Sequence, residues 1–396
     1  MPMRYGMKLR AALAPLLVMA TVPLTSSAMA GETPVPTAAE IAKLQIKDVL
    51  RWPQNVRFVA LRSADKFAPF NVVRAAKPFP LPVGKPLKIT FKSGEQTYNE
   101  ASFMKATAGT GLLILHDGKI VMERYASGRT AKDLWTAFSI TKSVTSTLLG
   151  AAVKDGLIKS LDDKMSDYIP ELKGSIYDRI SIRHTLMMAS GVYWNEDYTD
   201  PTNDINSLWE KGFVENMKDR KLVSEPGTKF LYRTGDSNLL GVLVSRVTGM
   251  PLSAYLSKKI WTQYGMETDA KMQLVNGEEL GGGGLSMTLR DFGRFAQFFM
   301  NGGKAGGKSV LPDNWTTEAT TPYLPTGFMG GGYGYQWWVP KGGEAYMGIG
   351  IYGQTMYINP KKKLVVVFNS AWPAADYDLG YQLQAQFAEA VEKQIQ

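Results

Sequence analysis

The chain has 396 residues, of which 44% are hydrophobic and 20% are charged. These proportions are typical of a folded globular protein and exclude a disordered or fibrous one, and the length suffices for one large or two medium domains. The absence of cysteine excludes a disulfide framework, and with only two histidines no zinc site of the usual kind is expected. The net charge of +9 comes from scattered basic residues, so nucleic acid is not an expected partner.

The first 30 residues have the pattern of a secretory signal. Three basic residues at positions 4, 8 and 10 precede a short apolar run from Ala11 to Leu24, and Ala28-Met29-Ala30 forms an A-x-A cleavage site. The apolar run is too short to span a bilayer comfortably, which disfavours a membrane anchor. We therefore expect a secreted or periplasmic protein, cleaved near Ala30 and Gly31, with no stable membrane insertion after cleavage.

Residues 31 to about 105 are Pro-rich and irregular, with weak strand signals such as the run from Val56 to Leu61. We expect this part to be an extension packed on a main domain of residues 106–396. The main domain opens with two apolar runs around Asp117-Gly118, which predict a β-hairpin over 111–125.

The stretch WTAFSITKS at 135–143 begins a predicted helix that ends near Gly156. Ser139 lies in the first turn, where free N–H groups and the positive end of the helix dipole favour a developing alkoxide. Lys142 follows three residues later on the same face, and burial would lower its pKa enough to make it a usable base. The alternative is a helix-capping serine beside a solvated lysine.

The remaining chain predicts helices followed by a second pair of strands. Turn signals and apolar periodicity predict a turn at 168–170, a helix over 181–189 and an apolar helix over 239–247. A flexible Gly-rich loop at 281–284 then leads into a helix with Thr288 as N-cap and Asp291 at the third position. Near the C-terminus, a hairpin of 354–360 with 363–370, whose tip carries Lys361 to Lys363, precedes an amphipathic helix over 375–395. Strands at both ends with helices between them predict an α+β fold with an antiparallel sheet and a helical insertion over about 155–300.

The two histidines have ordinary structural interpretations. His116 lies at a strand end beside a turn, and His184 lies near a helix start. Gly235-Asp236-Ser237 resembles a nucleophile of the GDS type, but no histidine follows it, and the chain has no G-x-S-x-G elbow. A serine hydrolase of this composition would therefore use lysine or tyrosine as its base.

Three separated motifs give the chain a resemblance to a known family. They are Ser139-Ile-Thr-Lys142, Tyr232-Arg-Thr234 before an apolar helix, and Gly348-Ile-Gly350 in a predicted strand. Together they resemble the class C β-lactamase and penicillin-recognising serine hydrolases, in the esterase and amidase branch typified by 6-aminohexanoate-dimer hydrolase. The order and spacing agree from about residue 40 to the end. The resemblance implies an antiparallel sheet flanked by N- and C-terminal helices, with a helical insertion, and no cofactor or metal.

The resemblance also implies roles for individual residues. Ser139 would be the acylated nucleophile, and Lys142 and Tyr232 would form the proton-handling pair. Tyr232 would act as general acid and base with its pKa lowered by the nearby ammonium group. The backbone N–H groups of Ser139 and Ile351 would form the oxyanion hole. The substrate would be a small-molecule amide or ester, while the oligomeric state is left open.

Two departures from the family's pattern bear on the substrate. Gly348 stands where β-lactamases and transpeptidases keep a cationic or polar residue, and Thr234 replaces the asparagine of β-lactamases. Both favour an esterase or amidase over efficient β-lactam hydrolysis. Thr234, Gly348 and Gly350 are expected to contact the substrate. The simpler interpretations are strand glycines close to another backbone and, for Tyr232, a core tyrosine that caps the following helix.

Aromatic residues are expected to shape the pocket. The candidates are Tyr193, Trp194 and Tyr198 in the loop over 192–201, together with Trp337 and Trp338; buried core positions are the simpler interpretation for each. Three acids in the same loop, Glu196, Asp197 and Asp200, would attract a substrate ammonium if they face the pocket, and are otherwise ordinary solvated acids. The alternative functions are a D-amino-peptide carboxypeptidase, a weak β-lactamase, or a non-catalytic homologue that binds cell-wall peptide.

Overall fold

The computed structural model describes residues 36–395, so the predicted signal and its cleavage site lie outside the described residues. The α-helices are α1 (Ala38–Ile41), α2 (Gln54–Ala60), α3 (Glu100–Ala106), α4 (Ile140–Lys154), α5 (Met165–Tyr168), α6 (Ile182–Leu186), α7 (Phe213–Lys218), α8 (Thr234–Thr248), α9 (Leu252–Leu256), α10 (Leu289–Met300), α11 (Trp315–Ala319) and α12 (Asp378–Gln394). A π-helical segment, Ser257–Gly265, continues α9, and 3-10 turns occupy Ile46–Arg51, Ala64–Lys66, Pro170–Leu172, Ile176–Asp178, Asn206–Trp209 and Phe328–Gly330.

The strands are β1 (Phe70–Val73), β2 (Thr90–Ser93), β3 (Gln96–Asn99), β4 (Gly109–His116), β5 (Lys119–Tyr125), β6 (Trp135–Thr136), β7 (Ala270–Val275), β8 (Glu278–Glu279), β9 (Leu285–Met287), β10 (Lys304–Ala305), β11 (Lys308–Ser309), β12 (Leu324–Pro325), β13 (Gly332–Tyr333), β14 (Trp338–Val339), β15 (Tyr346–Gly350), β16 (Gln354–Asn359) and β17 (Leu364–Ser370). The largest sheet has eight antiparallel strands in the order β12-β13-β14-β15-β16-β17-β4-β5.

The two predicted hairpins form the middle and one edge of this large sheet. β17 pairs with β4, with Val366 opposite Ile114, and so joins the hairpin near the C-terminus to the hairpin that opens the main domain. The chain leaves the large sheet after β5, forms the intervening helices, and returns to the sheet at β12. The predicted α+β fold with an antiparallel sheet and a helical insertion is confirmed.

The large sheet is covered on both faces, which explains its uninterrupted apolar strands. Leu364, Val366 and Phe368 of β17 pack into a core with α12. Val365 and Val367 point to the opposite face and join the main core that contains α4 and α10. Side chains alternate across a strand, so a strand buried on both faces loses the alternation of apolar and polar residues.

A smaller sheet, in the order β1-β7-β9-β6, holds the turn before α4. The N–H of Ala137 donates to the Leu285 carbonyl at 2.8 Å, and the N–H of Leu285 donates to Thr141 Oγ1 at 3.1 Å. Its outer strand β1 comes from the segment before residue 105. The N-terminal segment thus helps to fix the Gly-rich loop at 281–284 against the start of α4.

Helix α4 lies between the large sheet and α8 and is buried on nearly all sides from Ile140 to Ala152. A helix without a polar face is typical of a core element. Lys142 in its first turn is 1% exposed. The alternative of a solvated lysine is therefore wrong.

One local prediction fails. The run from Val56 to Leu61 is helix α2 and its C-cap, not a strand. Its β-branched and aromatic residues favour a strand by propensity, but Val56 and Ala60 are both buried, and residues four apart share one face of a helix. Pro53 at the N-cap position also begins the helix. The predicted boundary near residue 105 stays a prediction.

Within residues 36–395, no single helix has both the length and the apolar composition to cross a membrane. Thr234–Thr248 and Leu252–Gly265 meet the criteria only as a pair, and they are bent by 71° relative to each other.

Candidate active site

A cavity of about 850 Å³ opens in front of the first turn of α4. Its walls come from the loop over 193–200, the segment before α8, strands β14 and β15, and the segment before α12. The predicted site residues that line it are Ser139, Tyr193, Trp194, Tyr198, Tyr232, Trp338, Gly350 and Ile351. One region of the fold therefore contains the proposed nucleophile, the proposed tyrosine and the aromatic loop.

The backbone on each side of the predicted oxyanion hole has an unusual conformation. Phe138, directly before Ser139, has a φ of 46°, and Tyr352, directly after Ile351, has a φ of 62°. Their rings pack edge to face with centroids 5.7 Å apart. Non-glycine residues with positive φ persist only where the surroundings enforce them, and they are frequent at functional sites.

The N–H groups of Ser139 and Ile351 are not used by the fold. Within residues 36–395 neither N–H group has a hydrogen-bond acceptor, whereas the neighbouring Ile140 N–H donates to the Ala137 carbonyl. Gly350 allows the two segments to approach each other, because a Cβ atom there would lie 2.5 Å from the Ala137 carbonyl oxygen. Both groups are therefore available as donors, which is a requirement for an oxyanion hole.

Lys142 makes three hydrogen bonds from within the core. Its Nζ lies 2.9 Å from Ser139 Oγ, 2.9 Å from Thr234 Oγ1 and 2.7 Å from the Gly282 carbonyl oxygen. Burial lowers the pKa of Lys142 to about 8, although the charge of Glu196 opposes this shift. A lysine with such a pKa carries a substantial neutral fraction near pH 8, so it can accept a proton.

Tyr232 contacts the same serine from the cavity side. Both residues line the cavity, the Ser139 side chain acts to lower the pKa of Tyr232, and Lys142 Nζ lies 4.9 Å from the centre of the Tyr232 ring. Burial, together with the charges of Tyr333 and Glu196, raises the pKa of Tyr232 well above its ordinary value. The expectation of a lowered tyrosine pKa is wrong, because the ammonium group faces the ring instead of the hydroxyl and desolvation dominates.

The structure gives Thr234 and Gly348 positions different from those expected. Neither lines the cavity. Thr234 lies behind Lys142, while a Cβ atom on Gly348 would lie 3.2 Å from Ser143 Oγ on α4. The likeness to family motifs located both residues near the site, but in the fold they face α4 and not the substrate space.

Glu196 belongs to the same hydrogen-bond network. Its Oε1 accepts from Thr234 Oγ1 at 2.6 Å and from the Tyr198 hydroxyl at 2.8 Å. Its Oε2 accepts from Trp194 Nε1 at 2.6 Å and from the Thr234 N–H at 2.7 Å. With four donors facing it, this carboxylate is a fixed part of the site and not a solvated acid.

The other cavity wall is aromatic and acidic. Tyr193 is 45% exposed, whereas Trp338 is buried and stacks on Tyr232 at 5.6 Å. Asp376, which the sequence analysis missed, also lines the cavity, and burial with the nearby charge of Glu196 raises its pKa to about 6. Trp337 does not line the cavity, because it stacks on Phe299 in the core.

The two histidines and the GDS-type sequence, which were rejected as catalytic residues, lie outside the cavity. His184 forms a capping box with Ser181, and neither histidine lines the cavity. Ser237 is fully buried and donates to Gln336 Oε1 at 2.6 Å, and Asp236 pairs with Arg233. The GDS-type sequence is therefore part of the core helix α8.

Comparisons with known proteins give the family and the fold of the chain. The family model described as Beta-lactamase matches residues 96–389. A 6-aminohexanoate-dimer hydrolase from Paenarthrobacter ureafaciens is 29% identical over 304 residues, covering 71% of this chain and 77% of that protein. Among solved structures, a putative 6-aminohexanoate-dimer hydrolase from Bacillus anthracis superposes with a TM-score of 0.79 at 23% identity, covering 91% of this chain and 98% of that one. A family VIII carboxylesterase gives a TM-score of 0.59 at 17% identity, covering 73% and 95%.

The fold is therefore that of the β-lactamases and penicillin-binding proteins. The chain belongs to the β-lactamase family, whose members include hydrolases of several bond types, and it is similar to 6-aminohexanoate-dimer hydrolase over most of its length.

Proposed function

We propose that the protein is a serine hydrolase that cleaves an amide or ester bond in a small molecule through an acyl-enzyme on Ser139. The observation that carries this proposal is the contact between Ser139 Oγ and the buried Nζ of Lys142 at 2.9 Å. A nucleophile within hydrogen-bond reach of a base with a lowered pKa is the arrangement that activates a hydroxyl group.

Acylation begins with the neutral amine of Lys142. The amine takes the proton of the Ser139 hydroxyl as Oγ attacks the substrate carbonyl carbon. The negative charge that develops on the carbonyl oxygen is stabilised by the N–H groups of Ser139 and Ile351. Preorganised donors of this kind contribute about 2.7–4 kcal/mol each.

Tyr232 delivers a proton to the leaving group. Its raised pKa keeps the hydroxyl protonated at neutral pH, so it serves as a donor and not as the first base. As Tyr232 donates its proton to the departing amine or alkoxide, Lys142 passes the proton taken from Ser139 to the Tyr232 phenolate, so both groups return to their starting protonation states. Hydrolysis of the acyl-enzyme then repeats these steps with water as the nucleophile.

The cavity supports a small substrate with a cationic end. A volume of about 850 Å³ is in the range of small-molecule sites. Asp376 and Asp197 line the same cavity as Ser139 and make its wall acidic. The name of the Paenarthrobacter relative, which denotes hydrolysis of an amino-acid dimer, supports an amide with a free amino group. The signal pattern supports action outside the cytoplasm.

The alternative functions have less support. Gly348 packs against α4 and supplies no cation for the carboxylate of a β-lactam or a D-peptide. The connected hydrogen bonds of Ser139 and Lys142 argue against a non-catalytic binder, which has no use for a desolvated lysine beside a serine.

A fluorophosphonate probe tests the proposal. Intact-mass and peptide-mass analysis should show one covalent adduct on Ser139 of the wild-type protein and none in Ser139→Ala. An unlabelled wild-type protein, or equal labelling of Ser139→Ala, would refute the hydrolase assignment.

A further inference from the structure

We propose that Glu196 orients the catalytic base: acting through Thr234, it directs the lone pair of neutral Lys142 at the Ser139 hydroxyl. This inference rests on the proposed function and adds a positioning residue to it. Glu196 touches neither the nucleophile nor the substrate carbonyl in this scheme.

The contacts around Lys142 define which groups donate and which accept. The Gly282 carbonyl oxygen can only accept. Thr234 Oγ1 can do either, but it lies 2.6 Å from Glu196 Oε1, and an ionised carboxylate can only accept. The hydroxyl of Thr234 must therefore donate to Glu196 and present its oxygen to Lys142, 2.9 Å away.

A neutral amine has two N–H groups and one lone pair. Gly282 and Thr234 both act as acceptors, so they take the two N–H groups. The third contact of Nζ is Ser139 Oγ, and the lone pair must point there. Of these three contacts, only the Ser139 hydroxyl can supply the proton that the lone pair accepts. Without Glu196, Thr234 is free to donate to Lys142 instead, and an N–H would then face Ser139.

The Gly-rich loop at 281–284 is fixed in place next to Lys142. Gly282 is fixed by its N–H, which donates to Asn238 Oδ1 at 2.8 Å. A Cβ atom on Gly282 would lie 2.8 Å from Thr234 Cγ2, so a larger residue would displace the carbonyl from Lys142. The predicted flexible loop is thus anchored where it meets the base.

Glu196 and Tyr232 are the titratable groups that act on this amine from neighbouring segments. The charge of Glu196 raises the pKa of Lys142 against the effect of burial. On α8, Asp236 is engaged with Ser190 at 2.7 Å and with Arg233. The Gly-rich loop and the contacting part of β15 carry no ionisable side chain.

The substitution Glu196→Gln should reverse the direction of the hydrogen bonds from residue 196 through Thr234 to Lys142, with little change in the shape of the side chain. An amide NH2 at the Oε2 position would face Trp194 Nε1–H and the Thr234 N–H, which can only donate. The NH2 group is therefore forced to the Oε1 position, where it donates to Thr234 Oγ1. Thr234 then gives its proton to Lys142, and the lone pair is turned away from Ser139.

The test measures kcat, KM and the pH profile with an uncharged p-nitrophenyl ester. We expect Glu196→Gln and Thr234→Val each to lower kcat about 100-fold or more with KM nearly unchanged, as for general-base contributions. Thr234→Ser keeps the hydroxyl and should stay within about threefold of wild type. The acid limb of the profile should move to lower pH in Glu196→Gln, because the removed charge had favoured protonated Lys142.

The control is Glu215→Gln, which makes the same change at an exposed position of α7 away from the cavity. Its kcat and acid limb should match wild type. A Glu196→Gln protein with wild-type kcat and an unmoved acid limb would overturn the inference, as would equal losses in Thr234→Ser and Thr234→Val. If Glu196→Gln does not fold, the kcat values of Thr234→Ser and Thr234→Val test the inference. Labelling of Ser139→Ala by the fluorophosphonate would instead refute the proposed function itself.

Discussion

The two sides of Ser139 differ in how strongly the fold constrains them. Behind the serine, the inner network of Lys142, Thr234, Glu196 and Gly282 is joined by hydrogen bonds of 2.6–2.9 Å. In front of it, the cavity wall includes Tyr193, which is 45% exposed, and Asp376, which has a raised pKa. Buried polar networks tolerate little change, whereas exposed side chains do. We infer that the inner network determines the reaction and the cavity wall selects the substrate.

The largest effect should follow from removing the base of the inner network. Lys142→Ala is expected to lower kcat about 1,000-fold or more, because Lys142 is the base in hydrogen-bond contact with Ser139. The matched control is Lys154→Ala in the last turn of the same helix, where the lysine is exposed. Steady-state kinetics on an ester should show a loss in the first variant only. Equal activities in the two variants would remove the lysine from the mechanism.

Tyr232→Phe should separate substrates by their leaving groups. We expect a loss of about 100-fold in kcat on an anilide, whose amine must be protonated to leave. The loss on the p-nitrophenyl ester of the same acid should be much smaller, because that phenolate leaves without a proton. The ratio of the two kcat values in one protein preparation is the measurement. An equal loss on both substrates would mean that Tyr232 does not act as the proton donor.

Gly350→Ala should disturb the contact that holds the oxyanion hole together. The added Cβ would lie 2.5 Å from the Ala137 carbonyl oxygen, and overpacking of this kind costs about 1–3 kcal/mol of unfolding free energy. Gly283→Ala is the control, since its Cβ would meet only Leu280 Cδ2 at 3.7 Å. Urea denaturation should show the difference. Equal midpoints for the two variants would show that β15 does not need glycine there.

The smallest effect is expected on the cavity wall. Asp376→Asn should raise KM for an amine-bearing ester about fivefold, the equivalent of one partly solvated ion pair, and leave KM for a neutral ester unchanged. In the wild type, KM for the cationic ester should rise as the pH falls below about 6, because Asp376 loses its charge there. KM values for both esters between pH 5 and pH 8 test this. A change in KM for the neutral ester would mean that Asp376→Asn alters the structure of the site and not only its charge.

The same contrast explains how much of the molecule the sequence could predict. Ser139 and Lys142 lie three residues apart on one helix, so local spacing was sufficient to pair them. Both hairpins were predicted from short turn signals, and the structure confirms them. The run from Val56 to Leu61 was misassigned because propensity outweighed the helical spacing of its buried residues.

The inner network was not predictable in the same way. Gly282 lies 140 residues from Lys142, and Glu196 lies 38 residues from Thr234, so only the fold brings them together. The raised pKa of Tyr232 depends on burial, which the sequence does not give. Asp376 belongs to a segment without a motif. The one available signal was the position of Glu196 beside Trp194 in the aromatic loop.

The acyl-enzyme itself gives the most direct test of this account. Wild-type protein mixed with a p-nitrophenyl ester should be quenched at short times between pH 6 and pH 10, and its mass measured intact and after proteolysis. We predict an acyl adduct on Ser139 that forms faster as the pH rises, with an apparent pKa near 8 from Lys142. An adduct on another residue, or a rate of formation that does not change with pH, would contradict the account.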